Sequence, residues 1–291
     1  MFRQRNQHTI AQACTLAGRG YWTGQQVTLT FFPAEPRSGI RFVRTDLDGC
    51  PSVDASDRFR QDVDYRTVLV NGPVQVAMVE HVLAALAGLE IDNCLIELNG
   101  PEVPGFDGSA ALIVELLQRA GMVMQAARRE RVIVTHRIRV GSPSNWVEAT
   151  PTRDSRLTIE YRLDYGPHSP IQEQIHQQTI TPETFRRELA GARTFVTAAQ
   201  VAELAAKGIG SHVAADELLI FDEHNLVSGS LRWPDECSRH KALDMVGDLA
   251  LLGAELCGKV TSYRGGHRLN AALVRELRVQ IDCEDVCRKA A

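Results

Sequence analysis

The sequence predicts an α+β protein of two similar domains, each a β-sheet with about two α-helices. The chain has 291 residues, which exceeds the common size of one domain and favours two. Segments that alternate apolar and polar residues give way to segments of helical spacing, and this order occurs twice. Between the halves, in "MQAARRERVIV", apolar periodicity stops and charges cluster. The predicted domains are therefore residues 1–126 and 127–291.

The first half supplies strands and then helices. "QQVTLTFFPAE", "GIRFVRTDL", "RTVLVN" and "DNCLIELNG" are rich in β-forming residues and are expected to be strands. "VAMVEHVLAALAGLEI" and "SAALIVELLQRAGM" have the spacing of helices, and Gly88 is a typical residue for the end of the first. This half is predicted to fold as one sheet with two helices.

The second half repeats the order without repeating the sequence. "ERVIVTHRIRVG", "NWVEATP", "RLTIEYRLDYG" and "DELLIFD" are predicted strands, and "GKVTSYRGGH" is a strand followed by a loop. Helices are predicted in "TPETFRRELAGARTF", "TAAQVAELAAKG", "DECSRHKALDMVGDLALLG" and "HRLNAALVRELR". Because no close repeat relates the halves, any duplication is one of architecture.

Composition restricts the class of protein. The chain is 44% hydrophobic and 23% charged with a net charge of -4, which fits a soluble globular protein and lacks the basic balance of nucleic-acid binders. No segment has the roughly 18 apolar residues of a membrane span, and the N-terminus lacks an apolar signal-peptide core. The seven cysteines form no CxxC pair, so free thiols in a reducing cytoplasm are expected.

The predicted helix "DECSRHKALDMVGDLALLG" carries ionisable residues at four-residue intervals. A four-residue step advances about 40° around a helix, so His240 and Asp244 can present an imidazole and a carboxylate to one metal ion. Asp248 lies one turn further along the same face, too far to bind the same ion, and is better placed to support a ligand or another catalytic residue. The alternative is a solvated helix face on which Lys241 is a salt-bridge partner.

Glu80 and His81 interrupt the start of another apolar helix. With His81, the pair on the later helix would give two nitrogens, one oxygen and an open position, as in catalytic zinc sites, and Glu80 could take a proton from water. The alternative is that Glu80 stabilises the helix N-terminus and His81 is a core imidazole. The HExxH spacing of metalloproteases is absent.

Two further segments contain candidate site residues. In "TSYRGGHRLNAAL", Gly266 and the preceding glycine allow close approach of a ligand, and His267 could act as a general acid or stabilise an oxyanion. In "GARTFVT", Thr194 could donate a hydrogen bond and Phe195 could stack on a ring. Each also fits an ordinary loop or the edge of a core.

In combination, these segments resemble the UDP-3-O-acyl-N-acetylglucosamine deacetylases, zinc amidases of lipid A synthesis. The similar segments follow in order along most of the chain and include "VEHVLAALAGLEIDNCLIELNGPEVPGFDGSA", "ARTF", "LRWPDECSRHKALDMVGDLALLG" and "SYRGGHRLNAALVREL". The resemblance implies two α+β domains whose helices pack inward as a β-α-α-β sandwich. It also implies a UDP-linked acylated amino sugar as substrate. Together with the composition, we expect a cytoplasmic monomer that binds no nucleic acid.

The resemblance assigns the metal and the proton transfers to particular residues. His81, His240 and Asp244 would hold zinc, although the same ligands also suit Fe²⁺. Glu80 would be the general base. His267 would be the protonated partner that stabilises the oxyanion and assists departure of the amine.

The remaining implied roles concern orientation and substrate binding. Asp248 would orient the catalytic histidine, and Thr194 would donate to the tetrahedral oxygen. Phe195 would contact the sugar, and Lys241 would meet the diphosphate, a role suited to a compact cation.

The chain departs from the family pattern in several loops. Tyr21-Trp22 stands where the family has Leu-His, and residues 208–221 replace a glycine- and serine-rich stretch. These departures keep two alternatives open: a divergent paralogue that deacetylates a related N-acetylated sugar, and a non-catalytic nucleotide-sugar-binding, lipid-binding or regulatory relative.

Overall fold

The computed structural model describes residues 4–210, 213 and 217–290, with side chains as far as residue 280. The strands are β1 (Asn6–Ile10), β2 (Cys14–Arg19), β3 (Gln26–Pro33), β4 (Ile40–Arg44), β5 (Ser52–Asp54), β6 (Arg60–Gln61), β7 (Val68–Asn71), β8 (Val74–Ala77), β9 (Cys94–Leu98), β10 (Met122–Arg128), β11 (Arg131–Ile133), β12 (Ile138–Ser142), β13 (Asn145–Thr150), β14 (Leu157–Leu163), β15 (Gln174–Thr179), β16 (Phe195–Thr197), β17 (Leu219–Phe221) and β18 (Glu255–Tyr263). The helices are α1 (Glu80–Gly88), α2 (Ala111–Ala120), α3 (Pro182–Thr184), α4 (Ala198–Ala206), α5 (Glu236–Ala250) and α6 (His267–Ala290).

Two main sheets share one topology. The first has the order β2-β3-β9-β4-β5 and the second the order β12-β13-β18-β14-β15, with β11 added beside β18. In both, the third and fourth strands of the order are parallel and the other neighbours are antiparallel. One helix precedes the third strand and one follows it, α1 and α2 around β9 and α5 and α6 around β18. The expected duplication of architecture is therefore present.

The helices form the inner layers, which confirms the predicted β-α-α-β sandwich. α1 packs along α5, with the two main sheets outside them. α1 is buried on nearly every side, as expected of a helix that is apolar all round. The first sheet keeps the alternation predicted from the sequence, because β3 buries Val27, Leu29 and Phe31 while intervening residues face outward.

Smaller elements accompany the main sheet in each half. In the first half, β6, β7 and β8 form a three-stranded antiparallel sheet. In the second half, α3 continues into a π-helical turn at Phe185–Leu189, and the parallel pair β16-β17 flanks α4. The sequence predicted an ordinary helix around the π-helical turn.

The segment between the halves is a strand, where the sequence showed only a loss of periodicity. β10 pairs antiparallel with β1, and most of its side chains are exposed, so its sequence carries no buried alternating face. The predicted boundary between residues 126 and 127 falls inside β10 and stays a prediction.

Two properties of the described residues bear on the class of protein. None of the helices in these ranges combines the length and apolar character needed to cross a bilayer. Free thiols are present at Cys14, Cys50, Cys94, Cys237 and Cys257.

Gly247 allows α1 and α5 to approach closely. A Cβ atom at this position would lie 2.0 Å from the carbonyl oxygen of Glu80 and 3.1 Å from the amide nitrogen of Ala84. Both atoms belong to the α1 backbone, which cannot rotate away as a side chain could. The absence of a side chain at Gly247 therefore sets the spacing between the two inner helices.

Replacing Gly247 with alanine is expected to destabilise the protein by about 1–3 kcal/mol, the usual cost of overpacking. Intrinsic helix propensity alone would favour alanine by about 1 kcal/mol, so a loss of stability isolates the steric effect. Chemical denaturation measures the free energy of unfolding. Gly266→Ala is the control because its added Cβ would meet no atom within 4 Å. A Gly247→Ala protein as stable as the parent would contradict the tight contact.

Candidate metal centre and catalytic cavity

Three buried side chains from α1 and α5 converge on one point. His81 lies in the first turn of α1, and His240 and Asp244 lie one turn apart on α5. Asp244 Oδ1 is 3.5 Å from His81 Nε2 and 3.4 Å from His240 Nε2. One donor atom from each of the three residues lies within 4.8 Å of the other two. The structure thus brings together the predicted metal ligands.

The chemistry of this cluster fits a divalent metal. Asp244 Oδ1 is buried and has no hydrogen-bond partner, although an isolated buried carboxylate oxygen is costly. His240 Nδ1 lies 3.0 Å from the carbonyl oxygen of Ala192, a contact that orients the ring and leaves Nε2 toward the cluster. Burial lowers the pKa of His240 to about 3, so the imidazole is neutral, as a metal ligand must be.

The charge of Asp244 is stabilised by its neighbours. Burial alone would raise the pKa of this carboxyl, but His240, Lys241 and His81 hold it well below its usual range. Lys241 Nζ donates to Asp244 Oδ2 at 2.9 Å. Burial also opposes the charge on Lys241, yet Asp244 raises the lysine's pKa above its usual value. The carboxylate therefore has one oxygen bonded to an ammonium and the other facing the two imidazoles.

Glu80 lies beside the cluster at the start of α1. It is 2% exposed, and its Oε2 accepts a hydrogen bond of 2.9 Å from the backbone N–H of Thr67. Burial raises the pKa of the Glu80 carboxyl, partly offset by His267 and His81. A carboxyl with a raised pKa is suited to receive a proton during a reaction near neutral pH.

His267 is held by a buried network at the N-terminus of α6. Asp248 Oδ2 is 2.8 Å from His267 Nδ1 and also accepts from Asn270 Nδ2 at 2.8 Å. Asp248 Oδ1 accepts from Thr67 Oγ1 at 2.5 Å. Burial alone would lower the pKa of His267, but Asp248 and Asp244 raise it to about 9. The imidazole is therefore protonated at neutral pH, and its Nε2 lies 3.9 Å from Asp244 Oδ2.

The other predicted site residues line a cavity of about 620 Å³. Thr194, Phe195, Lys241, Gly266 and His267 all contribute to its wall. The Phe195 ring lies 5.6 Å from Lys241 Nζ and 6.3 Å from the ring of His240. All these predicted residues therefore surround one space next to the candidate metal ligands His81, His240 and Asp244.

One arm of the cavity is apolar, and sequence patterns did not reveal it. Its wall comes from α4, the β16-β17 pair and the loop between α4 and β17: Val196, Val201, Leu204, Ala205, Ile209, Val213, Leu218 and Ile220. The apolar side chains of α4 gave only a helical pattern, which does not distinguish a cavity lining from a core. Within the altered stretch 208–221, residues 211, 212 and 214–216 lie outside the described part of the chain.

Thr67 and Asn270 are site residues that the sequence analysis missed. Thr67 stands in a predicted strand, where a single threonine carries no signal. Asn270 follows His267 by three residues at the start of a helix, a spacing that places both on one face and could have indicated the shared contact to Asp248.

Comparison with known proteins agrees with the fold. The family model described as UDP-3-O-acyl N-acetylglycosamine deacetylase matches residues 7–279. A relative named UDP-3-O-acyl-N-acetylglucosamine deacetylase from Anaeromyxobacter sp. (strain Fw109-5) is 38% identical over 97% of this chain and 92% of its own length. Proteins of the same name from Myxococcus xanthus and Bdellovibrio bacteriovorus are 38% and 36% identical, over 97% and 93% of this chain and 89% of each relative.

The likeness extends across both domains and includes the helices that carry the converging histidines and aspartates. Because the family match covers nearly the whole chain and the relatives are matched over most of their own length, the chain belongs to the UDP-3-O-acyl N-acetylglycosamine deacetylase family.

Proposed function

We propose that this protein hydrolyses the N-acetyl amide of UDP-3-O-acyl-N-acetylglucosamine and releases acetate, an early committed step of lipid A synthesis. The observation that carries the proposal is the unpaired buried oxygen of Asp244, which faces two imidazole nitrogens beside the cavity. The curated relatives bear the name of this activity. Their names favour a deacetylase over a non-catalytic binding protein.

His81, His240 and Asp244 would hold the metal through Nε2, Nε2 and Oδ1. We propose zinc, for which two nitrogens and one carboxylate oxygen are a common catalytic ligand set, with Fe²⁺ as the other candidate. When bound, the metal would supply a Lewis acid that polarises the amide carbonyl and makes water more acidic. The neutral imidazole of His240 and the ionised carboxylate of Asp244 are already in the forms that bind metal.

The proton transfers would be divided between two buried groups. Glu80 would accept a proton from the water that adds to the carbonyl carbon. His267 would stabilise the developing oxyanion and donate a proton to the departing amine nitrogen as the C–N bond breaks. Asp248 would orient His267, which is supported by the 2.8 Å contact between them. Thr194 would add a hydrogen bond to the tetrahedral oxygen.

The cavity wall would bind the rest of the substrate. Phe195 would pack on the sugar, and Gly266, where a Cβ would meet nothing within 4 Å, leaves room for a ligand beside the backbone. Lys241 has three donors, so it can contact a phosphate oxygen while remaining bonded to Asp244. The apolar arm would take the 3-O-acyl chain.

The proposed setting is a cytoplasmic monomer that acts on a small molecule. The free thiols support a reducing compartment.

Replacing His240 with alanine is expected to abolish both metal binding and acetate release, because it removes one of three ligands. Metal analysis of the purified protein and an assay of acetate release measure the two effects. His224→Ala is the matched control, since His224 is exposed and does not line the cavity. A His240→Ala protein that kept its metal and its activity would exclude this ligand set.

Replacing Glu80 with glutamine should leave the metal bound but reduce kcat by roughly 10²–10⁴-fold, the usual contribution of a general base. The change preserves shape and removes only the ability to take a proton. Glu203→Gln, at an exposed position on α4, is the control. The proposed base would be wrong if Glu80→Gln turned over at the parent rate with its metal in place.

Replacing Leu204 with glutamine should raise KM for a long-chain acyl substrate and leave KM for a short-chain analogue unchanged. The reason is that a polar amide would replace part of the apolar wall. Ala206→Gln on the same helix is the control, because Ala206 does not line the cavity. Equal effects on the two substrates would show that the arm does not hold the acyl chain.

A further inference from the structure

An arginine outside the proposed machinery stands over an aromatic wall of the same cavity. The guanidinium carbon of Arg66 lies 3.7 Å from the centre of the Trp22 ring. Trp22 in turn stacks with Tyr65, at 6.3 Å between ring centroids and an interplanar angle of 29°. Trp22 and Tyr65 both line the catalytic cavity. The three side chains form a unit, the Arg66–Trp22–Tyr65 stack, on the wall contributed by the first domain.

The Trp22 side of this stack is rigidly held. Glu102, which is fully buried, accepts hydrogen bonds of 2.9 Å from the backbone N–H groups of Trp22 and Thr23. A Cβ at Gly20 would lie 2.5 Å from Glu102 Oε2, so glycine at this position leaves room for the carboxylate. The turn that carries Trp22 is therefore fixed before any ligand arrives.

The Tyr65 side carries backbone strain. Tyr65 has a φ of 67°, a left-handed conformation that bulky residues rarely adopt. Strain of this kind is concentrated at ligand sites. Two residues further on, Thr67 donates to Glu80 and Asp248, so the stack is joined directly to the proposed catalytic groups.

The guanidinium of Arg66 lacks a hydrogen-bond partner within the described residues. Its Nε is buried without an acceptor, and the side chain is half-buried. Leaving buried donors unpaired is costly, and arginine stays charged in proteins. Burial lowers the pKa of Arg66, while Glu102 and Glu80 act in the opposite direction.

Arg66 lies against the Trp22–Tyr65 wall without itself lining the cavity, and the cations that do line it are already engaged. Lys241 is bonded to Asp244, Arg268 is paired with Asp64 at 3.5 Å, and Arg264 interacts with Tyr263. Arg66 differs because an aromatic face covers one side of its plane and no acceptor meets its edge. Because Nε is buried, the terminal N–H groups are the ones that this stacked guanidinium keeps available for bidentate contact with an oxyanion.

We propose that Arg66, supported by Trp22 and Tyr65, is a specificity-determining residue that binds an oxyanion at the Trp22–Tyr65 wall of the catalytic cavity. The proposal rests on the proposed function, which supplies two sources of that chemistry: the diphosphate of the substrate and the carboxylate of released acetate. Binding energy at this position would select ligands that carry the anion.

The test measures binding to the metal-loaded chain, independently of turnover. Calorimetry with UDP and with uridine separates the contribution of the diphosphate to affinity from that of the nucleoside. Inhibition of deacetylation by sodium acetate measures binding of the carboxylate. Arg66→Met is expected to reduce the affinity for one of the two anions by roughly 10- to 100-fold, the usual effect of losing a hydrogen bond to a charged group. The affinity for uridine should not change. A lower affinity for UDP would identify the diphosphate as the anion that Arg66 binds. A lower affinity for acetate alone would identify the carboxylate of the product.

Controls separate recognition from folding. Arg139→Met removes a similar stack, since the Arg139 guanidinium lies 3.9 Å over the Trp146 ring away from the cavity, and should change no ligand affinity. Thermal unfolding and metal content verify each variant, and Arg66→Gln replaces the methionine variant if the latter fails to fold. Arg66→Lys should recover part of the lost affinity.

Several results would overturn the proposal. These are unchanged affinity for both anions in Arg66→Met, an equal loss for UDP and uridine, or the same losses in Arg139→Met. A parent protein that binds UDP through Arg66 but releases no acetate would refute the proposed function and leave the oxyanion site standing.

Discussion

The buried carboxylate of Asp244 is the constraint on which the rest of the site depends. An ionised group with 2% exposure is tolerated only where opposite charges or metal ions compensate it. Lys241 compensates one oxygen, and two imidazoles approach the other without donating a hydrogen bond to it. One oxygen is therefore paired with an ammonium, and the other is free to bind a metal. If the carboxylate served only as a structural ion pair, its second oxygen would stay buried without a partner, which costs free energy.

The fold brings these groups together by the way the two halves meet. Neither half contains the complete set of candidate ligands, since His81 belongs to α1 and His240 and Asp244 belong to α5. Gly247 lets α5 touch the backbone of α1 at Glu80, the residue before His81. The close packing of the inner helices therefore fixes the distance between the candidate base and the candidate ligands. Thr67, the residue before β7, joins the same network.

Much of the fold and most residues of the candidate site could be predicted from the sequence. The alternating strands and the four-residue spacing of His240 and Asp244 are local patterns. They depend only on residues that are close in sequence, so they can be recognised without knowing the fold. What could not be predicted depends on contacts between distant segments. The strand β10 has no buried face to create periodicity, and Thr67 and the apolar arm acquire their surroundings only from other elements. The stack of Arg66 on Trp22 joins residues 44 positions apart, beyond the reach of any spacing rule.

The most direct test is a crystal structure with anomalous diffraction recorded on both sides of the zinc absorption edge. We expect one strong peak, about 2.0–2.2 Å from His81 Nε2, His240 Nε2 and Asp244 Oδ1. A peak that persists below the zinc edge but vanishes below the iron edge would identify iron with the same ligands. Metal-replete, active protein with no peak among these three atoms would show that His81, His240 and Asp244 are not the metal ligands.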